Sequence, residues 1–285
     1  MDGQGINKNK INKTIGRIVL YLTLIILAVG FLIPIYGSIV TSFKSVQEIL
    51  TKGFWSFPKH FGLENYIEAW QLKNFGRYIL NSFIITIPSV IIAILIASLA
   101  AYPLSRIKFK GQNIIFFLFV AGLFLPPQIN LLPLYKFINM LGLYDTYWAL
   151  IIVHVAFGQP ICVFILRNFF INIPFEIQEA AKMDGCSNFR IYSKIIMPLA
   201  KPVIAVLLIF QFTWIWNDFL WGLILTQSES ARPITVALFN LQGMYTIEWN
   251  IQTAGANITA IPTIIVFLLF QRYFIKGITL GAVKG

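Results

Sequence analysis

The sequence predicts an all-α polytopic membrane protein with six transmembrane helices. Of 285 residues, 58% are hydrophobic and only 12% are charged. Soluble domains carry about a quarter charged residues. Mean hydropathy is +0.76, and several uncharged runs exceed the ~18 residues that mark a membrane-crossing helix. A β-barrel is excluded, because barrel strands are short and alternate apolar with polar residues.

The spans are expected at about 18–43, 78–103, 113–133, 146–167, 202–225 and 252–273. Each can cross a ~30 Å hydrocarbon core at 1.5 Å per residue. The fifth is interrupted by Asp218. Prolines within spans (Pro34, Pro88, Pro126, Pro127, Pro160, Pro262) remove backbone donors and permit kinks. The first apolar run is too long for a signal-peptide core and reads as a retained helix. The whole chain, 1–285, reads as one transmembrane domain, without low-complexity linkers or internal repeats.

Charge placement sets the expected topology. With the N-terminus inside, 15 of the 22 basic residues fall on inner segments and seven on outer ones. Both termini and the polar stretch at 170–200 are then cytoplasmic. The outer loop from Lys44 to Arg77, with Phe54, Trp55, Phe57, Tyr66 and Trp70, is expected to pack as a small cap. The net charge of +11 is thereby explained by topology rather than by nucleic-acid binding. Two cysteines and two histidines make neither a disulfide framework nor a metal site, and no catalytic set stands out.

The polar stretch between spans four and five is the most informative segment. Pro174 suits a first helical turn, and Phe175 to Asp184 reads as a short helix. Ile177, Ala180 and Ala181 share one of its faces, and Glu176, Glu179 and Lys182 lie on or beside another. Gly185 is a left-handed stop. Ser187 caps a second short helix bearing a stripe of Phe189, Tyr192 and Ile196. Pro198 and Pro202 mark re-entry into the membrane. A rigid helix-glycine-helix element suits docking of another protein.

Here the spacing becomes specific. Glu179-Ala180-Ala181, three residues, Gly185, nine residues, Ile195, one residue, then Met197-Pro198 resembles the EAA loop of ABC importer permeases. Met197 stands where the family has leucine. Leu63-Glu64-Asn65-Tyr66, Asn81-Ser82, Trp216-Asn217-Asp218-Phe219, Gln271-Arg272-Tyr273-Phe274 and the Gly281 to Gly285 ending are similar to the carbohydrate branch. Within it they resemble most the second permease of maltose-type systems (MalG-like).

The resemblance implies that Glu179, Ala180, Ala181, Asp184, Gly185, Ile195 and Pro198 form the surface that couples to an ATPase. It implies a second (MalF-like) permease, two copies of a nucleotide-binding ATPase and an extracytoplasmic sugar-binding protein as partners, besides membrane lipid. It places the chain in a bacterial cytoplasmic membrane. The chain has no G-x-x-x-x-G-K-[ST] phosphate loop. No cofactor is therefore expected on it, and ATP and Mg would be used by the partner ATPase. The ending at Gly281 and Lys284 reads either as a frayed terminus or, by resemblance, as an extension touching the ATPase.

Trp214, Trp216, Asn217, Asp218 and Trp221 cluster in span five. An intramembrane carboxylate costs ~2.5–3.5 kcal/mol on insertion scales. The cluster, with Asn81, therefore reads either as lining of the pathway or as an outer interfacial belt with Asp218 solvated. His154 reads as a buried imidazole bonded to a neighbouring helix. Asn257 and Thr259 read as caps or interhelical polar links. Other solutes remain open, glycerol 3-phosphate among them, as does a stand-alone carrier. A carrier of that kind needs several intramembrane ionisable groups, and here only Asp218 and His154 qualify.

Overall fold

The computed structural model describes residues 3–71, 74–241 and 248–282, with side chains described from residue 12 to residue 273. All regular structure among them is helical. In chain order the helices are α1 (Gly3–Ser42), α2 (Val46–Lys52), α3 (Glu64–Gln71), α4 (Phe75–Arg106), α5 (Gln112–Gly122) and α6 (Pro127–Met140). They continue with α7 (Tyr147–Ile171), α8 (Phe175–Met183), α9 (Asn188–Leu199), α10 (Lys201–Trp216), α11 (Leu220–Leu225), α12 (Ile234–Phe239) and α13 (Trp249–Ala282). Four are long and apolar enough to cross a membrane, or six if each of two bent pairs is one span.

The chain forms two compact units, 1–72 with 241–258, and 73–240 with 259–285. The first holds α1, the loop helices α2 and α3, and the first turns of α13. Ser45 caps α2 by accepting from the Glu48 N–H at 3.2 Å. A polar knot joins the three parts. Asn65 Nδ2 donates to the carbonyls of Ser42 and Lys44, and Asn250 Nδ2 donates to Asn65 Oδ1. Asn257 Nδ2 donates to the hydroxyls of Ser42 and Tyr66, each at 3.2 Å. The expected aromatic cap is present in part. Phe43 packs on Phe61 and Tyr66, and Phe54 packs edge-on to Trp249, while Trp55, Phe57 and Trp70 stay exposed. Lys44, which the sequence places among outer-loop charges, is wholly buried and donates to the carbonyls of Gly53 and Phe54.

The second unit is built on α4 and α7, with α10 packed beside them. Small residues make close approach possible. A side chain at Gly158 of α7 would meet the amide of Gln211 on α10 at 3.2 Å. That amide instead donates to Cys162 Sγ at 3.0 Å.

Four expectations are corrected. The run at 113–133 is not one helix: α5 and α6 meet at 91°. Pro126 is extended (φ −61, ψ 126), because proline at 127 disfavours the helical region for the residue before it. Span five is not continuous over 202–225. It stops at Trp216, breaks over Asn217–Phe219 and resumes as α11; the 16 residues of α10 reach only about 24 Å. The first helix does not begin near 18, since α1 already starts at Gly3. Likewise α13 runs through Gly277 and Gly281 to Ala282 rather than ending near 273. Two helical glycines cost about 1 kcal/mol each, which 34 residues of continuous hydrogen bonding absorb.

Candidate functional site

The polar island follows directly from α7. Pro174 sits at the N-cap of α8 with extended backbone, one residue earlier than its expected place in the first turn. The helix ends in a Schellman arrangement. The Gly185 N–H donates to the Lys182 carbonyl at 3.0 Å and the Cys186 N–H to the Ala181 carbonyl at 2.9 Å. This requires a left-handed residue between them, and Gly185 supplies φ +77. Ser187 then caps α9 by accepting from the Arg190 N–H.

The three residues expected to share one face of α8 are divided by burial. Gln178 and Ala181 point inward, whereas Ile177 and Ala180 are exposed together with Glu176, Glu179 and Lys182. Met183 is 88% exposed. The helix start fixes this phase. Pro174 and the buried Ile173 anchor the entry, and positions three apart, 178 and 181, then face the bundle. Asp184, Gly185 and Pro198 are exposed, and Ile195 is half-buried.

The expected α9 stripe is also split. Tyr192 and Ile196 are buried, but Phe189 is exposed. A π-turn over Tyr192–Ile196 closes with the Met197 N–H donating to the Tyr192 carbonyl. In a regular helix Pro198 would lack its bond to the Lys194 carbonyl and its ring would crowd that group. The wider turn relieves this, while Phe189, ahead of the turn, keeps its ring 6.0 Å from that of Tyr192.

The second candidate region lies at the break after α10. Asp218 Oδ2 accepts from the N–H groups of Trp221 and Gly222 at 3.1 and 3.2 Å, capping α11. It stands 3.8 Å from His154 Nε2 on α7. Its carboxylate is therefore held by the protein and is not the fully solvated group that the belt reading requires. Trp216 is 1% exposed and donates its indole N–H to the Thr259 carbonyl at 3.0 Å, stacked on Phe212. Trp221 is buried against Phe157. Neither belongs to an exposed belt. Trp214 is 61% exposed, and Asn217 is exposed with its amide on the Thr213 carbonyl.

Asn81 is not gathered with that cluster. Its amide donates to the carbonyls of Glu229 and Arg232 and its oxygen accepts from Tyr147 Oη at 2.7 Å. The neighbouring Ser82 Oγ accepts from the Ile234 N–H. Asp145, with φ +59, accepts from the N–H groups of Gln227 and Ser228 at 2.7 and 2.9 Å. These residues stake down the loop at 226–234. Burial alone would raise the Asp145 carboxyl, but the two backbone donors, the Ser228 hydroxyl and the Arg232 charge together hold the group below its ordinary range. Sequence reasoning missed Asp145 and Gln211. The one available signal was a lone aspartate just before Thr146, the side-chain cap of α7.

Gly281 lies in the last described turn of α13, and Lys284 lies outside the described residues. No group of three or more metal-ligating side chains occurs among the described residues.

Long apolar helices, with an exposed polar helix between two of them, define a multi-pass membrane protein. The chain belongs to the binding-protein-dependent transport system inner membrane component family, whose model matches residues 77–280. It is 36% identical over 265 residues to the probable ABC transporter permease protein YurM of Bacillus subtilis (strain 168), covering 93% of this chain and 87% of that protein. It is 33% identical over 270 residues to the melibiose/raffinose/stachyose import permease protein MelC of the same organism, covering 94% and 97%. The fold matches a chain from the crystal structure of a bacterial ABC transporter involved in import of the acidic polysaccharide alginate. That match has TM-score 0.78 and 25% identity and covers 92% of this chain and 98% of that one. The protein is therefore the permease component of an ABC importer, and ATP hydrolysis resides in a separate subunit.

Proposed function

We propose that this permease forms half of the translocation pathway for a sugar or oligosaccharide, pairs with a second permease, and is driven through α8 by one of two ATPase subunits. An extracytoplasmic binding protein delivers the solute. Both termini and the α8–α9 element face the cytoplasm, in keeping with the distribution of basic residues. The sugar assignment is supported by the named substrates of relatives such as MelC.

The observation that carries the coupling role is the outer face of α8. Glu176, Ile177, Glu179, Ala180 and Met183 are exposed on a helix whose other face is fixed by buried Gln178 and Ala181 and whose end is locked at Gly185. Ala180 allows close approach of a partner surface, and Ile177 and Met183 offer apolar contacts beside two carboxylates. Asp184, Gly185, Ile195 and Pro198 hold the turn and re-entry that aim this face. ATP-driven closure of the ATPases would move the seated helix and exchange inward for outward access. The break at Asn217–Asp218, with exposed Trp214 nearby, is the pathway segment this reading favours; Trp216 supports it from behind, while Asn81 holds the separate loop at 226–234.

The test is Glu179→Lys in the reconstituted complex. Substrate-stimulated ATP hydrolysis and uptake should fall at least tenfold while the complex still assembles. Normal transport by that variant would remove the coupling role.

A further inference from the structure

The ends of α4 and α7 cap one another. Arg106, in the last turn of α4, sends its Nη2 to the carbonyls of Phe170, in α7, and Ile173, just beyond it, the latter at 2.5 Å. Arg167, in the last full turn of α7, sends its Nε to the Leu104 carbonyl of α4 at 2.9 Å. The last carbonyls of a helix have no intrahelical partner and carry the negative end of its dipole. Two cations exchanged between two such ends satisfy both at once. Arg106 is 6% exposed and lies over the ring of Phe175, the first residue of α8, with 5.8 Å to the centroid. Arg167 is itself seated on the Phe116 ring at 3.8 Å, and Gln112 also donates to the Leu104 carbonyl at 2.8 Å.

Two further links bind α4 to the far side of the same island. Ser98 Oγ and Tyr192 Oη lie 2.7 Å apart, and the Tyr102 and Tyr192 rings pack at 5.4 Å. The end of α4 thus holds α8 through Arg106 and α9 through Tyr192. Neither helix follows α4 directly in the chain, since α5, α6 and α7 intervene.

We propose that Arg106 and Arg167 are positioning residues whose reciprocal caps lock α4, α7 and α8 into one lever, so that displacement of α8 is carried undiminished into α4. The functional half of this statement rests on α8 being the coupling helix; the rigid-body half does not. A guanidinium suits the task because it stays charged while buried and offers several donors in a fixed plane. A lysine keeps the charge but loses the planar fork.

The test uses the full complex in lipid nanodiscs, with spin labels at Lys182→Cys on α8, exposed but outside the proposed contact face, and Ile84→Cys on α4 in a Cys162→Ala, Cys186→Ser background. The distance between the labels should be unchanged when a nonhydrolysable ATP analogue is added. Arg106→Gln should broaden or shift that distance on nucleotide addition and lower the ratio of substrate-stimulated to basal ATP hydrolysis at least fivefold. Arg106→Lys should recover part of the ratio. Arg167→Gln tests the opposite half of the clamp if Arg106→Gln fails to assemble. A distance that changes with nucleotide in the parent protein, or an unaltered distance and ratio in both glutamine variants, overturns the proposal. If Glu179→Lys leaves transport intact while the distance stays fixed, the coupling reading fails and the rigid body stands.

Discussion

Asp218 Oδ2 lies 3.8 Å from His154 Nε2, at the point where the fifth apolar run stops being helical. The carboxylate accepts two backbone N–H groups of α11 and faces an imidazole from α7. One side chain thus satisfies the helix that restarts after the break and ties that break to a neighbouring helix.

Asp218→Ala should therefore destabilise more than Asp218→Asn. Loss of an N-cap acceptor costs about 0.5–2 kcal/mol, and asparagine keeps an acceptor oxygen. The thermal midpoint of the purified complex should drop for alanine and stay near the parent for asparagine. His154→Gln should sit with asparagine. Equal midpoints for alanine and parent would show that the cap is dispensable.

Asp145 gives the loop at 226–234 a pH dependence of known sign. Burial pushes its carboxyl up, but the Gln227 and Ser228 N–H groups, the Ser228 hydroxyl and the Arg232 charge together hold it below the ordinary range. A depressed folded-state value means that its stabilisation is complete above the unfolded carboxylate range, near 4, and is lost as pH falls below that range. A nitroxide at Ser230→Cys should stay immobile from pH 7 down to about 4 and gain mobility below it. Asp145→Asn tolerates the left-handed backbone and should make mobility independent of pH over the same window. A parent loop that loosens on raising the pH contradicts the assignment.

Gln178 is wholly buried on the inner face of α8, and neither atom of its amide has a hydrogen-bond partner among the described residues. Unpaired buried polar groups cost about 1–3 kcal/mol, whereas an apolar group of similar shape is neutral or stabilising. Gln178→Leu should thus leave the thermal midpoint unchanged or raise it, while Ala181→Leu, on the same packed face, should lower it. A large drop for Gln178→Leu would mean that the amide has a partner in the assembled complex.

Much of this protein was legible before its fold was known. Hydropathy marked where apolar helices occur, because a lipid-facing segment must be apolar over its whole length. The Glu-Ala-Ala to Gly185 spacing located α8 and its stop, because a Schellman end needs a residue without Cβ strain at one position. These are local requirements, and the sequence by itself determined them. Helical phase and helix continuity were not local. Which face of α8 is buried depends on how Pro174 and Ile173 enter from α7, and the π-turn before Pro198 interrupts the regular helical phase of α9. The bend at Pro126 occurs within a run that composition alone reads as unbroken, and Asp218 marked an interruption of the fifth run without showing that the helix stops at Trp216. Least legible were partnerships across long separations: Asn81 with Glu229 and Arg232, Asp145 with Gln227, Arg106 with Phe170. A buried polar side chain must find a partner, but the partner is a backbone group that every residue possesses. Only the tertiary structure decided which carbonyls those arginines and asparagines reach.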